Sequence, residues 1–427
     1  MTSRNSQDYA EIGVGGLNQR ALDQSLKSPA QALSSILEWR SGSASHAAFP
    51  FRPVIEHFQA AGRTNADKEL VKTLRALAEV MCYNENSTGS LILSSWLPST
   101  FDQDDGDYDS YVALPVLSRL ADASADGPDI TLDVEQVAVQ ADLLLYEATA
   151  LARRIGSPEQ EARTWACARS LLRTADLAPR AAGVFSATSS GADEPGADEP
   201  GTGWSADRAI ALALLALDAV PLAVRQAVEI TVLPTTPLHD EVMFIRSIQA
   251  FELVYQQVAR CLARAVAAVE AEDAAGATAE VRDAQARVVA TRTLYRVLTT
   301  MPRDSFAVIR SYTQGRSAIQ SRSYWTIQRL AAPLPPDCDP AETGASPIRS
   351  LQEAYLEAGG HARLPGLAQA MSELDEAWRA MKRTHWGITL KVIGRVPGTG
   401  GTAGADYLKE SATRRLFPQL HARSGLA

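Results

Sequence analysis

Residues 372–408 read SELDEAWRAMKRTHWGITLKVIGRVPGTGGTAGADYL, and this stretch predicts a long helix, a sharp stop, a glycine-rich loop and a second helix. Ser372 followed by Asp375 resembles a capping box, so the long helix is predicted to begin there. Gly394 and Pro397 predict its end. One face of the helix carries, at steps of three or four residues, Leu374, Trp378, Met381, His385, Ile388 and Val392.

His385 is the only titratable side chain on this apolar face, and two interpretations of it are open. A histidine in such a place is most often a core residue whose hydrogen bonds are satisfied. Neutral imidazole is also the commonest metal ligand, and haem iron often takes a proximal histidine. The loop that follows, GTGGTAG at residues 398–404, is rich enough in glycine for its backbone to close tightly around a small ligand.

The composition is that of an ordinary globular protein long enough for two or more domains. The chain has 427 residues, of which 46% are hydrophobic and 21% charged, with a net charge of −9. This charge argues against nucleic acid as the main partner, because phosphate binding needs a basic surface. The longest apolar run, residues 209–217, is too short to cross a bilayer, and the N-terminus lacks the apolar core of a signal peptide. We therefore expect a cytoplasmic protein that does not associate with membranes.

The cysteines argue against a metal cluster or a disulfide framework. They are widely separated and form no CxxC pair, at Cys82, Cys167, Cys261 and Cys338. A reducing compartment is the expectation that follows from this spacing.

Helical periodicity dominates the chain and strand signals are scarce, which predicts an all-α protein. Residues 186–205 contain a direct GADEP-GADEP repeat, and such an acidic, glycine- and proline-rich composition is typical of a disordered linker. We therefore predict a helical N-terminal region at residues 1–185, the linker at 186–205, and a second domain at 206–427.

Two further stretches carry candidate chemistry. Residues 239–253, HDEVMFIRSIQAFEL, predict the start of an amphipathic helix with acidic residues in its first turn. His239, Asp240 and Glu241 are adjacent and would not face one another on a helix, so they are not predicted to bind a metal. Residues 301–328 contain Arg310, whose planar guanidinium suits a carboxylate, although a solvated surface arginine is the commoner case.

These three stretches, in this order, resemble the signature segments of tryptophan 2,3-dioxygenases. The resemblance rests on HDExxFIxxxQAxEL, on the run around Arg310, and on a histidine followed by Ile-Gly, GTGG and Tyr-Leu. It implies an all-α helical bundle that binds haem b, at residues 206–427, with an additional helical N-terminal region. The proximal ligand of the haem iron would be His385, and the family's flexible loop would include Gly398, Gly400 and Gly401.

The resemblance also implies roles for five side chains. Arg310 would pair with the carboxylate of the substrate, Thr399 would meet its ammonium group, and Phe244 would pack over its ring. Ser317 would line the pocket. Ile248 stands where the family has a distal histidine, and an isoleucine cannot donate a hydrogen bond to substrate or oxygen.

Residues 108–117, YDSYVALPVL, are similar to a tyrosine-containing segment of the same family, with Pro115 as a departure from its pattern. In that family the tyrosines help to wall a substrate pocket, often that of a neighbouring subunit. Tyr108 and Tyr111 would take this place here.

The activity implied is a haem-dependent oxidoreductase that uses dioxygen to open the indole ring of L-tryptophan, giving N-formylkynurenine. A second candidate is a haem monooxygenase or hydroxylase acting on an aromatic amino acid or an indole derivative in secondary metabolism. A third is a haem-binding protein without turnover. The resemblance also implies a homo-oligomer, a tetramer or a dimer.

Overall fold

The computed structural model describes residues 28–42, 45–81, 88–101, 108–123, 128–155, 158–178, 205–313, 320–334, 349–398 and 401–422. The described residues form α-helices and four short 3-10 helices, with no strand among them, so the predicted all-α class is confirmed there. In chain order the α-helices are α1 (Pro29–Ser41), α2 (Phe51–Ala61), α3 (Lys68–Met81), α4 (Thr88–Trp96), α5 (Tyr108–Tyr111), α6 (Leu114–Ala123), α7 (Pro128–Ala152), α8 (Gln160–Ala175), α9 (Ala206–Asp218), α10 (Leu222–Glu229), α11 (His239–Glu270), α12 (Ala274–Leu298), α13 (Arg303–Tyr312), α14 (Arg322–Ala331), α15 (Leu351–Glu357), α16 (Pro365–Val392), α17 (Ala405–Ser411) and α18 (Pro418–Ala422). The 3-10 helices are His46–Ala48, Arg63–Asn65, Leu97–Thr100 and Gly360–Ala362.

The helix that carries His385, α16, begins at Pro365, so the predicted start at Ser372 is wrong. Proline suits the first helical position because the N–H that it lacks would have no partner there. The buried face continues upstream of Ser372 through residues such as Met371, and packing of that face extends the helix beyond the local capping signal. The predicted end is confirmed, since Gly394 follows the helix with a φ of 80°.

Three long helices form the centre of the molecule, and α12 packs against both α11 and α16. On the outside, α7 packs against α11 while α8 packs against α12. Small buried side chains on α12 recur at steps of three and four residues and let its neighbours approach closely; they include Ala277, Val281, Ala284 and Val288.

A second, smaller apolar cluster lies in the N-terminal part of the chain. It contains residues of the four helices α1, α2, α3 and α4, such as Phe58, Leu74 and Trp96. It also contains Ile230 and Leu233, which follow α10. The indole of Trp96 donates a hydrogen bond of 2.7 Å to the carbonyl oxygen of Ile230, which ties this cluster to the segment that precedes α11.

The larger cluster contains residues from α7 and α8 together with residues from α9 to α16. Helices on both sides of the predicted linker thus contribute to one core. The linker itself, residues 186–205, lies outside the described residues apart from Ser205, whose side chain caps α9. The boundaries of the predicted domains stay a prediction.

Within the described ranges, no helix combines the length and the apolar composition that crossing a membrane requires.

Candidate functional site

A cavity of about 290 Å³ lies between α11, α12, α13 and α16. One side of it is lined by Val396, Pro397, Gly398, Thr402 and Gly404. Its lining includes aromatic side chains from four of the long and short helices around it: Phe244, Phe251, Tyr255, Tyr295, Phe306 and Tyr324. Burial raises the pKa of Tyr255 and of Tyr295 and raises that of Tyr324 to about 12, so these walls carry no charge at neutral pH. Such a lining suits a flat, apolar ligand.

One face of α11 supplies the longest wall. Phe244, Ile248, Glu252 and Tyr255 are spaced at four, four and three residues, so they lie above one another along the helix and all reach the cavity. At one end the ring of Phe244 meets that of Phe306 edge to face, with centroids 5.4 Å apart. This end of the cavity is therefore an aromatic pocket shared by α11 and α13.

His385 enters the cavity from α16, on the side formed by α12. Its ring lies beside that of Tyr295 with centroids 5.9 Å apart and an interplanar angle of 30°. Burial lowers the pKa of His385 to about 4, because protein surrounds the ring and disfavours its charged form. The side chain keeps some accessible surface because it faces the cavity. The imidazole is thus neutral at pH 7, as a metal ligand must be.

Arg310 reaches the cavity from α13, and its Nη2 donates a hydrogen bond to the carbonyl oxygen of Pro397. This contact joins α13 to the segment that follows α16. The N–H of Gly398 in turn donates to the carbonyl oxygen of Thr402 at 2.9 Å. Gly404 has a φ of 64°, and a Cβ at this residue would lie 2.0 Å from the carbonyl oxygen of Val396. Only glycine fits there.

The predicted site residues that the structure describes converge on this cavity, although they are far apart in the chain. Phe244, Ile248, Arg310, His385 and Gly398 all line it. Gly401 is described but is not among the lining residues. Three further predicted residues, Ser317, Thr399 and Gly400, lie outside the described residues. The roles assigned to all of these side chains stay predictions.

The lining fits the chemical needs of haem. His385 offers a neutral nitrogen toward the cavity, and no described residue makes a hydrogen bond to its ring. The aromatic walls match the faces of a macrocycle, and Lys382 is a cationic side chain of the described lining that can pair with a haem carboxylate. Burial lowers the pKa of Lys382 to about 8, and its Nζ donates to the carbonyl oxygen of Arg414 at 2.8 Å.

Comparison with known proteins finds distant relatives with one shared name. No family model matches the chain. The chain is 26% identical over 238 residues to a tryptophan 2,3-dioxygenase of Anaeromyxobacter dehalogenans, a match that covers 45% of this chain and 89% of that protein. The chain is 24% identical over 236 residues to a tryptophan 2,3-dioxygenase of a Polaromonas species. This match covers 44% of this chain and 80% of that protein. A shorter match, 37% identical over 73 residues, covers 17% of this chain and 24% of the tryptophan 2,3-dioxygenase of Burkholderia pseudomallei. The chain is thus a distant relative of tryptophan 2,3-dioxygenases over less than half of its length.

The three adjacent residues His239, Asp240 and Glu241 point to three different partners. His239 Nε2 lies 3.1 Å from Glu147 Oε2, and its ring stacks on Tyr146 with centroids 4.3 Å apart. Asp240 Oδ1 lies 2.7 Å from Arg163 Nη1. Among the described residues no group of three or more histidine, cysteine and acidic side chains is arranged to hold a metal ion.

Sequence reasoning missed an acidic and a basic residue of the cavity, Glu252 and Lys382. Both could have been found by extending the helical spacing used for their neighbours. Glu252 lies one turn after Ile248 on the same face of α11, and Lys382 lies one turn before His385 on α16. What the spacing does not reveal is that each side chain is buried.

The buried carboxyl of Glu252 predicts a pH effect on stability. Burial raises its pKa from 4.5 to about 7, although hydrogen bonds from Ser321 and Tyr108 oppose this shift. Between these pH values the unfolded chain has released a proton that the folded protein retains, so stability falls as the pH rises. We expect Glu252→Gln to remove this contribution, which is at most about 3 kcal/mol. Urea unfolding of the haem-free protein between pH 4.5 and 8 measures it.

Glu79→Gln is the matched control, because Glu79 is exposed on α3 and its replacement should leave the pH profile of stability unchanged. A Glu252→Gln variant that loses stability with rising pH as steeply as the unmodified protein would contradict the assignment.

Proposed function

We propose that this protein is a haem-dependent oxygenase of an aromatic amino acid, and that its reaction is the opening of the indole ring of L-tryptophan to N-formylkynurenine. The observation that carries the proposal is the position of His385: a neutral imidazole faces the same aromatic cavity as Arg310 and Phe244. The distant similarity to enzymes named tryptophan 2,3-dioxygenase supports it.

In this proposal each part of the cavity has one task. His385 would hold the haem iron through the neutral nitrogen of its ring. Arg310 binds the carboxylate of the amino acid, a contact that its planar guanidinium can make with two parallel hydrogen bonds. Phe244 packs against the indole ring and, with Phe306, fixes its orientation.

When bound, haem would supply the activation of dioxygen for insertion of both oxygen atoms and cleavage of the C2–C3 bond of the indole. The protein supplies orientation and a dry cavity. Val396, Pro397 and Gly398 form a cover on one side of the cavity, and the contact of Arg310 with Pro397 couples the carboxylate-binding side chain to this cover. A substrate carboxylate that draws Arg310 away from Pro397 would therefore also change the position of the cover.

Ile248 favours a second candidate, a haem monooxygenase or hydroxylase of an aromatic amino acid or indole derivative. This side chain lines the cavity on the same face of α11 as Phe244, and it can neither donate nor accept a hydrogen bond. A substrate whose reaction needs a hydrogen bond at this point would be a poor fit, whereas an apolar substituent would be accommodated.

The test is to reconstitute the protein with haem without oxygen, add L-tryptophan and then oxygen, and weigh the product by mass spectrometry. We expect a product heavier than tryptophan by two oxygen atoms, with the absorbance of N-formylkynurenine. A product with one added oxygen atom would establish the second candidate instead. A protein that takes up no haem would refute both.

A further inference from the structure

One wall of the cavity comes from the N-terminal part of the same chain. Tyr108 and Tyr111 lie on α5 and line the cavity although every other described lining residue comes from α11 or later. We call residues 108–114 the wall segment. Its apolar side chains, including Val112 and Leu114, pack against Ile245 of α11.

Three hydrogen bonds between buried groups fasten the wall segment to α11. Tyr108 Oη donates to Glu252 Oε1 at 2.9 Å, and Tyr111 Oη donates to Glu241 Oε1 at 3.1 Å. Between them, Gln249 Nε2 donates to the carbonyl oxygen of Val112 at 2.8 Å. These partners are spread over three turns of the helix, so the segment is held along its length rather than at a single point.

Glu241 connects the wall segment with the residues that precede α11. Its side chain is fully buried and accepts hydrogen bonds from the backbone N–H groups of Thr235 and Thr236, at 2.8 and 2.7 Å. The hydroxyl groups of the same two threonines donate to it at 2.6 and 2.5 Å. With Tyr111 this makes a carboxylate that is saturated by donors and whose position is closely determined.

Arg63 holds the wall segment from the opposite side. Its Nη1 donates to the carbonyl oxygens of Ser99, at 2.8 Å, and Ser110, at 3.4 Å, and its Nη2 donates to that of Tyr111 at 3.2 Å. The guanidinium also lies over the Tyr111 ring, 5.4 Å from its centroid. The backbone N–H of Arg63 donates to the carbonyl oxygen of Pro234 at 2.8 Å, next to the threonines that bind Glu241.

We propose that Arg63 is a positioning residue that, together with Glu241, sets the wall segment against α11, so that the N-terminal region completes the ligand cavity of its own chain. Arg63 is not among the lining residues of the cavity, and its effect passes through the backbone and ring of Tyr111. The inference deepens the proposed function, since it identifies what the N-terminal region contributes to binding of the aromatic amino acid.

The first experiment compares Arg63→Met with Arg75→Met. Arg75 is a matched control because its guanidinium also lies over an aromatic ring, that of Phe101 at 5.0 Å, in the same region of the chain. We expect the dissociation constant for L-tryptophan, measured calorimetrically on the haem-loaded protein, to rise about tenfold in Arg63→Met and to stay unchanged in Arg75→Met. Haem content should equal that of the unmodified protein in both, and Arg63→Lys should recover part of the affinity.

Two further measurements keep the test decisive if Arg63→Met folds poorly or if the unmodified protein does not bind tryptophan. Tyr111→Phe removes one hydroxyl while retaining the ring, and it should weaken binding in the same direction. Hydrogen exchange of the ligand-free protein should be faster at residues 108–114 in Arg63→Met, and unchanged there in Arg75→Met. This last readout needs neither haem nor tryptophan, so it tests the wall independently of the proposed reaction.

A co-expression experiment decides whether the wall segment lines the cavity of its own chain or that of a partner. Arg63→Met and Arg310→Ala chains carrying different affinity tags are expressed together, and oligomers that contain both are isolated by two successive affinity steps. If each chain walls its own cavity, no site of normal affinity forms, because every chain carries one defect. Recovery of sites with normal affinity would show that the wall acts on a partner and would overturn the proposal, as would unchanged exchange and unchanged affinity in Arg63→Met.

Discussion

Replacing His385 with alanine is expected to abolish haem binding, so that the purified protein lacks the Soret absorbance band. The imidazole faces the cavity, is neutral at pH 7 and has no competing hydrogen bond from a described residue, which leaves its nitrogen available to iron. Removal of the ring leaves no other histidine in the described lining. The measurement is the ratio of Soret to protein absorbance after reconstitution with an excess of haem.

Two controls separate loss of the ligand from loss of the fold. His361→Ala removes a histidine that is exposed on the 3-10 helix Gly360–Ala362, and it should retain full haem content. His385→Gly leaves a space in which free imidazole can replace the missing ring, so added imidazole should restore haem binding. Normal haem content in His385→Ala would refute the assignment of the iron ligand.

Replacing Arg310 with alanine is expected to weaken binding of L-tryptophan by about 10- to 100-fold while leaving haem content unchanged. A hydrogen bond to a charged group contributes about 1.5–3 kcal/mol, and loss of the guanidinium leaves the substrate carboxylate without its partner. Calorimetric titration of the haem-loaded variant with L-tryptophan gives the dissociation constant.

Tryptamine, which lacks the carboxylate, makes the test specific: it should bind equally well to the unmodified protein and to Arg310→Ala. Arg303→Ala is the matched control on the same helix, because Arg303 is exposed and away from the cavity lining. If Arg310→Ala loses affinity for tryptamine and tryptophan to the same degree, Arg310 shapes the cavity and does not bind the carboxylate.

Several elements of the candidate site are evident from the sequence because they depend on local periodicity. The spacing of apolar residues places His385 on the buried face of α16, and Gly394 ends that helix where expected. The same reasoning places Phe244 and Ile248 on one face of α11. Steps of three and four residues determine which side chains share a face, whatever that face packs against.

The start of α16 shows where local signals are insufficient. Ser372 and Asp375 have the residue types and spacing of a capping box, yet the helix continues through them from Pro365. Asp375 is fully buried and accepts a hydrogen bond of 2.6 Å from the backbone N–H of Leu416. A carboxylate that is satisfied by a distant segment no longer acts as a cap, and only the packed chain reveals that segment.

The sequence by itself determined the all-helical class and the faces of α11 and α16, because both follow from contacts within a few residues. Only the tertiary structure decided which faces meet. It brought Arg310 against the carbonyl of Pro397, and it closed the cavity with Tyr108 and Tyr111 of the same chain, held by Glu241 and Arg63. These pairs are separated by dozens of residues, and such contacts depend on the packing of whole helices rather than on any local pattern.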